Sequence, residues 1–223
     1  MEAQTVYIID DDARELRANQ RGLETIFRGS PLHFKGVQPL ERLADYNELL
    51  PKPDTAAFLI DQRLQVSGDV NYSGIELASH LRSIASKLPI YILTNYETDA
   101  DLEGANEQTV EDVIDKDDLT RPDEPKALRF KARFLRRLQG FQDVLTAREQ
   151  TFHELLKKSL REELSATEKR ELEDLQSERL LPVHSAELRE IAALDQTIEK
   201  LTKLLNDSSK RSKKRRSKVT RKK

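Results

Sequence analysis

The chain has 223 residues, of which 38 are Lys or Arg and 40 are Asp or Glu, and it contains no cysteine. The absence of cysteine excludes a disulfide framework, a cysteine metal site and a thiol nucleophile. No apolar stretch approaches the ~18 residues of a membrane span, and no basic signal segment stands at the start, so we expect a cytoplasmic protein without membrane contacts.

The near-neutral total hides three blocks of different charge. Residues 1–125 carry a net charge of -13, residues 126–206 a net charge of +2, and residues 207–223 a net charge of +9. Blocks that differ this much indicate physically different parts of a chain. We therefore expect a folded domain over 1–124, a helical interaction region over 125–206 and a disordered basic tail over 207–223.

The first block alternates short apolar runs with helical patterns. Apolar runs this short are typical of buried strands. Five strands are predicted in this way, at 6–9, 32–37, 56–60, 89–93 and 110–114. Helices are predicted at 13–27, 39–50 and 74–84. Strands separated by helices form βαβ units with right-handed crossovers, so the sequence predicts an α/β fold with a five-stranded parallel sheet.

Polar side chains stand where four of these strands end. Asp10 and Asp11 follow the first strand, Asp61 the third, Thr94 the fourth and Lys116 the fifth. The carboxyl ends of parallel strands share one edge of a sheet, where ligands bind. Carboxylates that meet there raise each other's pKa unless a cation is bound, and oxygen ligands suit Mg²⁺. A hydroxyl and an ammonium beside them favour a phosphoryl group, whose transfer needs positioning and charge neutralisation.

Asp12 has a different predicted role. Glu15 follows it three residues later, which is the spacing of a capping box at the start of a helix. We therefore interpret Asp12 as the N-cap of the first helix and not as a ligand.

The strand-end residues resemble the receiver domain of two-component response regulators, over about residues 5–124. The resemblance is carried by four motifs: Ile9-Asp10-Asp11-Asp12, Leu59-Ile60-Asp61, Leu93-Thr94 and Asp115-Lys116. It implies a flavodoxin-like (βα)5 fold in which Asp61 accepts a phosphoryl group from a histidine kinase or phosphotransfer protein. No enzyme activity is implied beyond Mg²⁺-dependent self-phosphorylation and dephosphorylation at Asp61.

The same resemblance assigns roles to the surrounding residues. It implies that Asp10, Asp11, Asp61 and the backbone carbonyl of Arg63 bind Mg²⁺. It also implies that Thr94 and Lys116 contact the phosphoryl group.

Four features depart from the family pattern. Asn95 stands where a small residue is usual, and Val113 stands where an aromatic residue is usual. Asp117 replaces the proline that usually follows the lysine, so no cis peptide is expected there. The loop between Asp61 and Gly74 is longer than the common pattern. These departures predict a chemically complete site with an altered signalling readout.

A helical region follows Pro125. Helix-forming residues predict one helix over 126–164 that begins as the last helix of the receiver and runs past it. An apolar stripe with heptad-like spacing runs along it, with Arg148 filling the one gap. Its members are Phe134, Leu138, Phe141, Leu145, Phe152 and Leu155. Ser165 and Glu168 form a capping box that predicts a second helix to about residue 180.

A third helix is predicted after Pro182, with Ser185 as its cap. Its apolar residues recur at intervals of three and four, as in a coiled coil. They are Ile191, Leu194, Ile198, Leu201 and Leu205. The helices of 126–206 either pack on one another as an antiparallel bundle, or form a homodimer or bind a partner helix.

The last 17 residues, 207–223, are Lys, Arg and Ser almost throughout. A segment of this composition is expected to be disordered. It is either a solubilising tail or an arm that binds nucleic acid weakly and without sequence preference. A helix-turn-helix is not expected, because the stretch from Leu188 to Ile198 leaves no room for a turn.

The predicted function is therefore that of a response regulator in a phosphorelay. It would accept a phosphoryl group on Asp61 and switch the contacts of its helical region. Two alternatives stay open: a phosphate sink or relay intermediate without output, and a nucleic-acid-associated scaffold with a vestigial receiver.

Overall fold

A computed structural model describes residues 4–50, 52, 54–66, 69–95 and 109–180. Within these ranges a single parallel sheet has the strand order β2-β1-β3-β4-β5. Its strands are β1 Gln4–Ile9, β2 Leu32–Val37, β3 Thr55–Asp61, β4 Ile90–Thr94 and β5 Asp112–Asp115. This order is that of the flavodoxin-like doubly wound fold, and it confirms the predicted fold class.

The strands alternate their side chains between two apolar clusters. In β1, Val6 and Ile8 lie in the cluster on one face, and Tyr7 and Ile9 lie in the cluster on the other. The same alternation runs through β3 and β4. Both faces are covered, which is why these strands are continuous apolar runs in the sequence.

Helices cover both faces of the sheet. The helices are α1 Ala13–Ile26, α2 Gly74–Ile84, α3 Lys116–Thr120, α4 Pro125–Ser159 and α5, residues 166–180. Leu16, Leu23 and Ile26 of α1 join the cluster that also contains the first part of α4. The other cluster contains α2 residues such as Leu77 and Leu81.

The prediction of a helix over residues 39–50 is wrong. Only a 3-10 helix, Leu43–Glu48, forms there. The Leu40 backbone N–H donates to the Tyr46 hydroxyl at 3.0 Å, and the Leu40 carbonyl accepts a hydrogen bond from the Tyr72 hydroxyl. Side-chain partners thus replace the bonds that a longer helix would have used at this point.

α4 is one continuous helix of 35 residues. Its first part packs on the sheet through Ala127, Phe130, Phe134 and Leu138. The Phe134 ring lies 5.1 Å from the rings of Phe27 and of Tyr91. The helix therefore begins as the last helix of the sheet domain and continues past it, as predicted.

The outer part of α4 forms an antiparallel hairpin with α5. Three ion pairs connect the two helices: Arg148–Glu178 at 2.6 Å, Arg179–Glu149 at 3.1 Å and Lys158–Glu168 at 2.6 Å. Residues earlier in α4 pair with residues later in α5, so the two helices run antiparallel. Residues Leu155 and Leu164 are buried at the closed end of the hairpin.

The boundary between these two helices corrects one prediction and confirms another. α4 ends at Ser159, five residues before the predicted position, and a short connection leads to α5. The predicted capping box is present: the Ser165 N–H donates to Glu168 Oε2 at 2.9 Å, and the Glu168 N–H donates to Ser165 Oγ at 3.3 Å. The predicted third helix and the basic tail, 207–223, lie outside the described residues.

No helix in the described part of the chain has both the length and the apolar character needed to cross a bilayer.

Candidate functional site

The strand-end residues meet at one edge of the sheet. Asp10 and Asp11 directly follow β1, Asp61 is the last residue of β3, and Thr94 is the last residue of β4. Lys116 follows β5 and begins α3. The strand order makes β1, β3, β4 and β5 successive neighbours, so the edge gathers all five side chains. Asp10, Asp61, Thr94 and Lys116 are buried there, and Asp11 is half-buried.

Lys116 bridges two of the carboxylates. Its Nζ lies 2.9 Å from Asp10 Oδ2 and 2.8 Å from Asp61 Oδ1. Asp11 brings a third carboxylate, and one oxygen from each of the three acids lies within 4.8 Å of the others. With all groups ionised, one ammonium faces three carboxylates, and the excess negative charge attracts a cation.

Burial and neighbouring charges have opposite effects on the pKa values of Asp10 and Lys116. Burial raises the pKa of Asp10 from 3.8 to about 6, although the hydrogen bond and charge of Lys116 act to lower it. Burial acts to lower the pKa of Lys116, but the Asp61 and Asp10 carboxylates outweigh it and leave this pKa above its ordinary value. Lys116 is therefore a firmly charged cation at neutral pH.

Other hydrogen bonds orient the carboxylates. Asp10 Oδ1 accepts the Asp12 N–H at 3.0 Å, and Asp10 Oδ2 accepts the side-chain amide of Asn19 at 3.2 Å. Asp61 Oδ2 accepts the Arg63 N–H at 3.0 Å. Asn19 is buried on α1, and the sequence analysis missed it. Its signal was available, because it is a polar residue in helical register with the buried Leu16 and Leu23.

Asp12 has the predicted role. Its Oδ1 accepts the backbone N–H groups of Arg14 at 2.6 Å and Glu15 at 3.3 Å, which makes it the N-cap of α1. The N-cap fixes the start of α1 immediately after the two acids, and thereby fixes the turn that presents them.

A cleft of about 310 Å³ opens over the site. The three acids, Thr94 and Lys116 line it, together with Arg63, Val66 and Asn95 on its exposed side. The predicted site residues therefore face one common space.

Gly74 holds the end of β3 in place. The Gly74 N–H, at the start of α2, donates to the Gln62 carbonyl at 3.0 Å. A Cβ atom at Gly74 would collide with the backbone carbonyl of Asp61 and lie 3.0 Å from the Gln62 Cα. Only glycine permits α2 to approach the end of β3 this closely.

Two departures from the family pattern have structural counterparts. Val113 is half-buried in β5 and packs against the cluster on the α2 face. After Lys116 the chain turns directly into α3, where the Asp115 side chain accepts the Asp117 N–H at 2.9 Å. Within the described residues every peptide bond is trans.

The chemistry of the acidic group fits one class of cation. Among the described residues, Asp10, Asp11 and Asp61 form the group of acidic side chains that could share an ion. All the donors are carboxylate oxygens, without nitrogen or sulfur, and such a set suits a hard divalent cation such as Mg²⁺. The residues present therefore fit the expected metal.

No protein-family model and no curated protein sequence matches the chain. Solved structures do match. A response regulator receiver protein from Pseudoalteromonas atlantica is 15% identical, covers 61% of this chain and 97% of its own, and has a TM-score of 0.42. A CheY-like receiver domain protein from Methanospirillum hungatei JF-1 is 17% identical, covers 64% of this chain and 98% of its own, and has a TM-score of 0.43.

The isolated receiver domain of RcsB from Salmonella enterica serovar Typhimurium, solved with phosphomimetic BeF3-, also matches. It is 21% identical, covers 53% of this chain and 83% of its own, and has a TM-score of 0.41. All three neighbours are receiver domains of response regulators, which is the class that the strand-end motifs resemble.

Proposed function

We propose that this protein is a response regulator that accepts a phosphoryl group on Asp61 from a histidine kinase or phosphotransfer protein. The observation that carries the proposal is the bridge from Lys116 to Asp10 and Asp61 at 2.9 and 2.8 Å. It brings an ammonium, the carboxylate of the proposed acceptor and a second acid to one cleft, with the Thr94 hydroxyl on the neighbouring strand.

The proposed reaction transfers one phosphoryl group. An Asp61 oxygen bonds to phosphorus, the phosphorus–nitrogen bond of the donor phosphohistidine breaks, and the released imidazole takes up a proton. Lys116 pairs with the new negative charge, and the Thr94 hydroxyl donates to a phosphoryl oxygen. Asp10, Asp11 and Asp61, with the Arg63 backbone carbonyl, would hold Mg²⁺, which would supply positive charge to the phosphoryl oxygens.

The acceptor assignment is tested by labelling with acetyl phosphate and Mg²⁺. We expect one base-labile phosphate per chain, because an acyl phosphate is cleaved by hydroxide. Asp61→Asn should abolish the labelling, and Asp11→Asn should weaken it through loss of the metal. Asp12→Asn is the matched control, because Asn caps a helix as well as Asp does, and it should be labelled like the wild type. Equal labelling of the Asp61→Asn variant would contradict the proposal.

The output we propose is a change in the contacts made by the helical region. α4 is the connection that supports this: it packs on the sheet and also forms the hairpin with α5. Two of its residues form ion pairs near the site, Lys126 with Asp118 at 3.6 Å and Arg133 with Asp112 at 2.7 Å. These two aspartates stand on either side of Lys116 in the sequence.

Beryllofluoride tests the output, because it mimics the aspartyl phosphate. Hydrogen exchange of α4 and α5 should change when beryllofluoride and Mg²⁺ are added, and Asp61→Asn should not respond. Labelling without any change in exchange, oligomeric state or bound partners would instead identify a phosphate sink.

A further inference from the structure

Asn19 is a buried polar residue on the apolar face of α1. It is 2% exposed and stands in helical register with Leu16, Leu23 and Ile26, which pack in the same apolar cluster as the first part of α4. An apolar side chain would be buried here without any polar cost, whereas a buried amide must be compensated by hydrogen bonds. The packing of α1 on the sheet therefore does not by itself require asparagine at this position.

The hydrogen bond that compensates the amide goes to the acidic cleft. Asn19 Nδ2 donates to Asp10 Oδ2 at 3.2 Å, and both side chains are buried. Lys116 Nζ donates to the same oxygen at 2.9 Å, and the Asp12 N–H donates to Asp10 Oδ1 at 3.0 Å. Donors from α1, from the start of α3 and from the turn after β1 thus hold one carboxylate.

We propose that Asn19 is a positioning residue for the divalent cation, because it holds Asp10 in place while the cation is bound. Asn19 is not one of the residues that line the cleft, so it acts through Asp10. The inference rests on the metal site of the proposed function and adds to that site a residue that the receiver-like motifs do not contain.

Charge separates the roles of the two side-chain donors to Asp10. Lys116 is a cation, and it also pairs with Asp61 at 2.8 Å. A divalent cation at the three carboxylates repels this ammonium, and a phosphoryl group on Asp61 attracts it away from Asp10. The Asn19 amide is neutral, so neither event displaces it in this way. It is the side-chain donor that keeps Asp10 oriented when Lys116 pairs with new charge.

The affinity for Mn²⁺ tests the proposal, because Mn²⁺ is also a hard cation that prefers carboxylate oxygens. The full chain is titrated with Mn²⁺, and the free ion is measured by electron paramagnetic resonance. Binding at the cleft is the part of the titration that Asp11→Asn removes. Partners that orient a metal ligand typically change metal affinity 10–100-fold when they are mutated, so Asn19→Leu should weaken this binding by about 10-fold.

Two more variants control for packing. Asn19→Ala removes the donor without adding volume, and it should weaken Mn²⁺ binding to a similar extent. Gln20→Leu is the matched control on the same helix, because the Gln20 amide donates to the Phe34 carbonyl at 3.1 Å and to Glu24 at 3.0 Å, away from the cleft. It should bind Mn²⁺ like the wild type. Wild-type affinity in both Asn19 variants, or equal weakening by Gln20→Leu, would overturn the proposal.

A double-mutant cycle tests whether Asn19 acts through Asp10. In an Asp10→Asn background, Asn19→Leu should change the Mn²⁺ affinity by less than about 2-fold, since two residues that act as one unit are not additive. A further loss of about 10-fold in this background would show that Asn19 acts on the fold in general, and would overturn the positioning role.

Labelling of Asp61 separates failure of this inference from failure of the proposed function. With acetyl phosphate, the Mg²⁺ concentration that gives half-maximal labelling should rise about 10-fold in Asn19→Leu, by more than the maximal rate falls. An unchanged half-maximal concentration would overturn the role of Asn19 and leave Asp61 as the acceptor. Equal labelling of Asp61→Asn would overturn the proposed acceptor instead, and the Mn²⁺ titration would still decide the role of Asn19.

Discussion

Replacing Lys116 by Met tests the electrostatic arrangement of the site. Methionine has similar length and volume, so it preserves the packing of the buried side-chain stem and removes only the charge. The ammonium it removes is the partner of both Asp10 and Asp61, at 2.9 and 2.8 Å. Both carboxylates then remain buried and lose their cation.

The magnitude follows from burial. The Lys116 side chain is 7% exposed, and those of Asp10 and Asp61 are 1% and 8% exposed. Removing one partner of a buried ion pair costs about 3–5 kcal/mol, because the remaining charge is neither solvated nor paired. A typical domain has a total stability of ~5–15 kcal/mol, so the loss is a large fraction of it.

The assay is urea unfolding followed by circular dichroism, at pH 8 in buffer with EDTA. Lys126→Met is the matched control. Lys126 also pairs with an aspartate, Asp118 at 3.6 Å, but its side chain is 54% exposed. Exposed pairs contribute ~0–1 kcal/mol, so the control should unfold close to the wild type.

The result that would refute this reasoning is a Lys116→Met variant that unfolds at the same urea concentration as Lys126→Met. The proposed metal makes a further prediction for the same variant. Mg²⁺ should stabilise Lys116→Met more than it stabilises the wild type, because the ammonium no longer repels the cation. Equal stabilisation of both proteins would contradict binding at these carboxylates.

Two further predictions concern the backbone at the site and the hairpin. Gly74→Ala should lower the free energy of unfolding by about 1–3 kcal/mol and slow labelling of Asp61, since the added Cβ displaces the end of β3. Gly140 lies in α4 with open space around it, so Gly140→Ala should raise the free energy of unfolding by up to ~1 kcal/mol. If both variants lost the same free energy of unfolding, the close contact at Gly74 would be contradicted. The hydrogen bond and charge of Lys158, with the bonds from the cap, lower the pKa of Glu168 from 4.5 to about 2. The ionised Glu168 carboxylate stabilises the hairpin above pH 4.5, and this stabilisation is lost as the pH falls toward 2. Helicity should therefore fall over this pH range in the wild type and fall less in Glu168→Gln. Identical acid profiles of the two proteins would refute this.

The position of these side chains at one edge of the sheet was predictable from the sequence, because local signals determine it. Each buried strand is a short apolar run, and the first polar residue after it marks the carboxyl end. Asp10, Asp61, Thr94 and Lys116 could therefore be assigned to one edge as soon as the sheet was recognised as parallel. The N-cap role of Asp12 was equally local, since it depends on a residue three positions later.

Non-local contacts explain the parts that were not predicted. The helix predicted over 39–50 does not form in part because the Tyr72 hydroxyl donates a hydrogen bond to the Leu40 carbonyl. Tyr72 is 32 positions from Leu40, so no local pattern indicates this contact. The periodicity of the apolar stripe on α4 correctly predicted a buried face, but it did not predict what covers that face. Phe134 and Leu138 pack on the sheet, and Leu155 packs in the hairpin. A periodic pattern identifies which face is buried, and only the tertiary structure shows what covers it.

The continuity of α4 has a mechanical consequence. Phe141 is the last of its residues that packs against the sheet-face clusters, and the helix continues unbroken to Ser159. At about 1.5 Å per residue the part beyond Phe141 is a lever of about 27 Å, so a tilt of ~5° at the sheet would displace its tip by roughly 2 Å. A small rotation of α4 on the sheet would thereby become a displacement of the Ser159 end of the helix that approaches the length of a hydrogen bond.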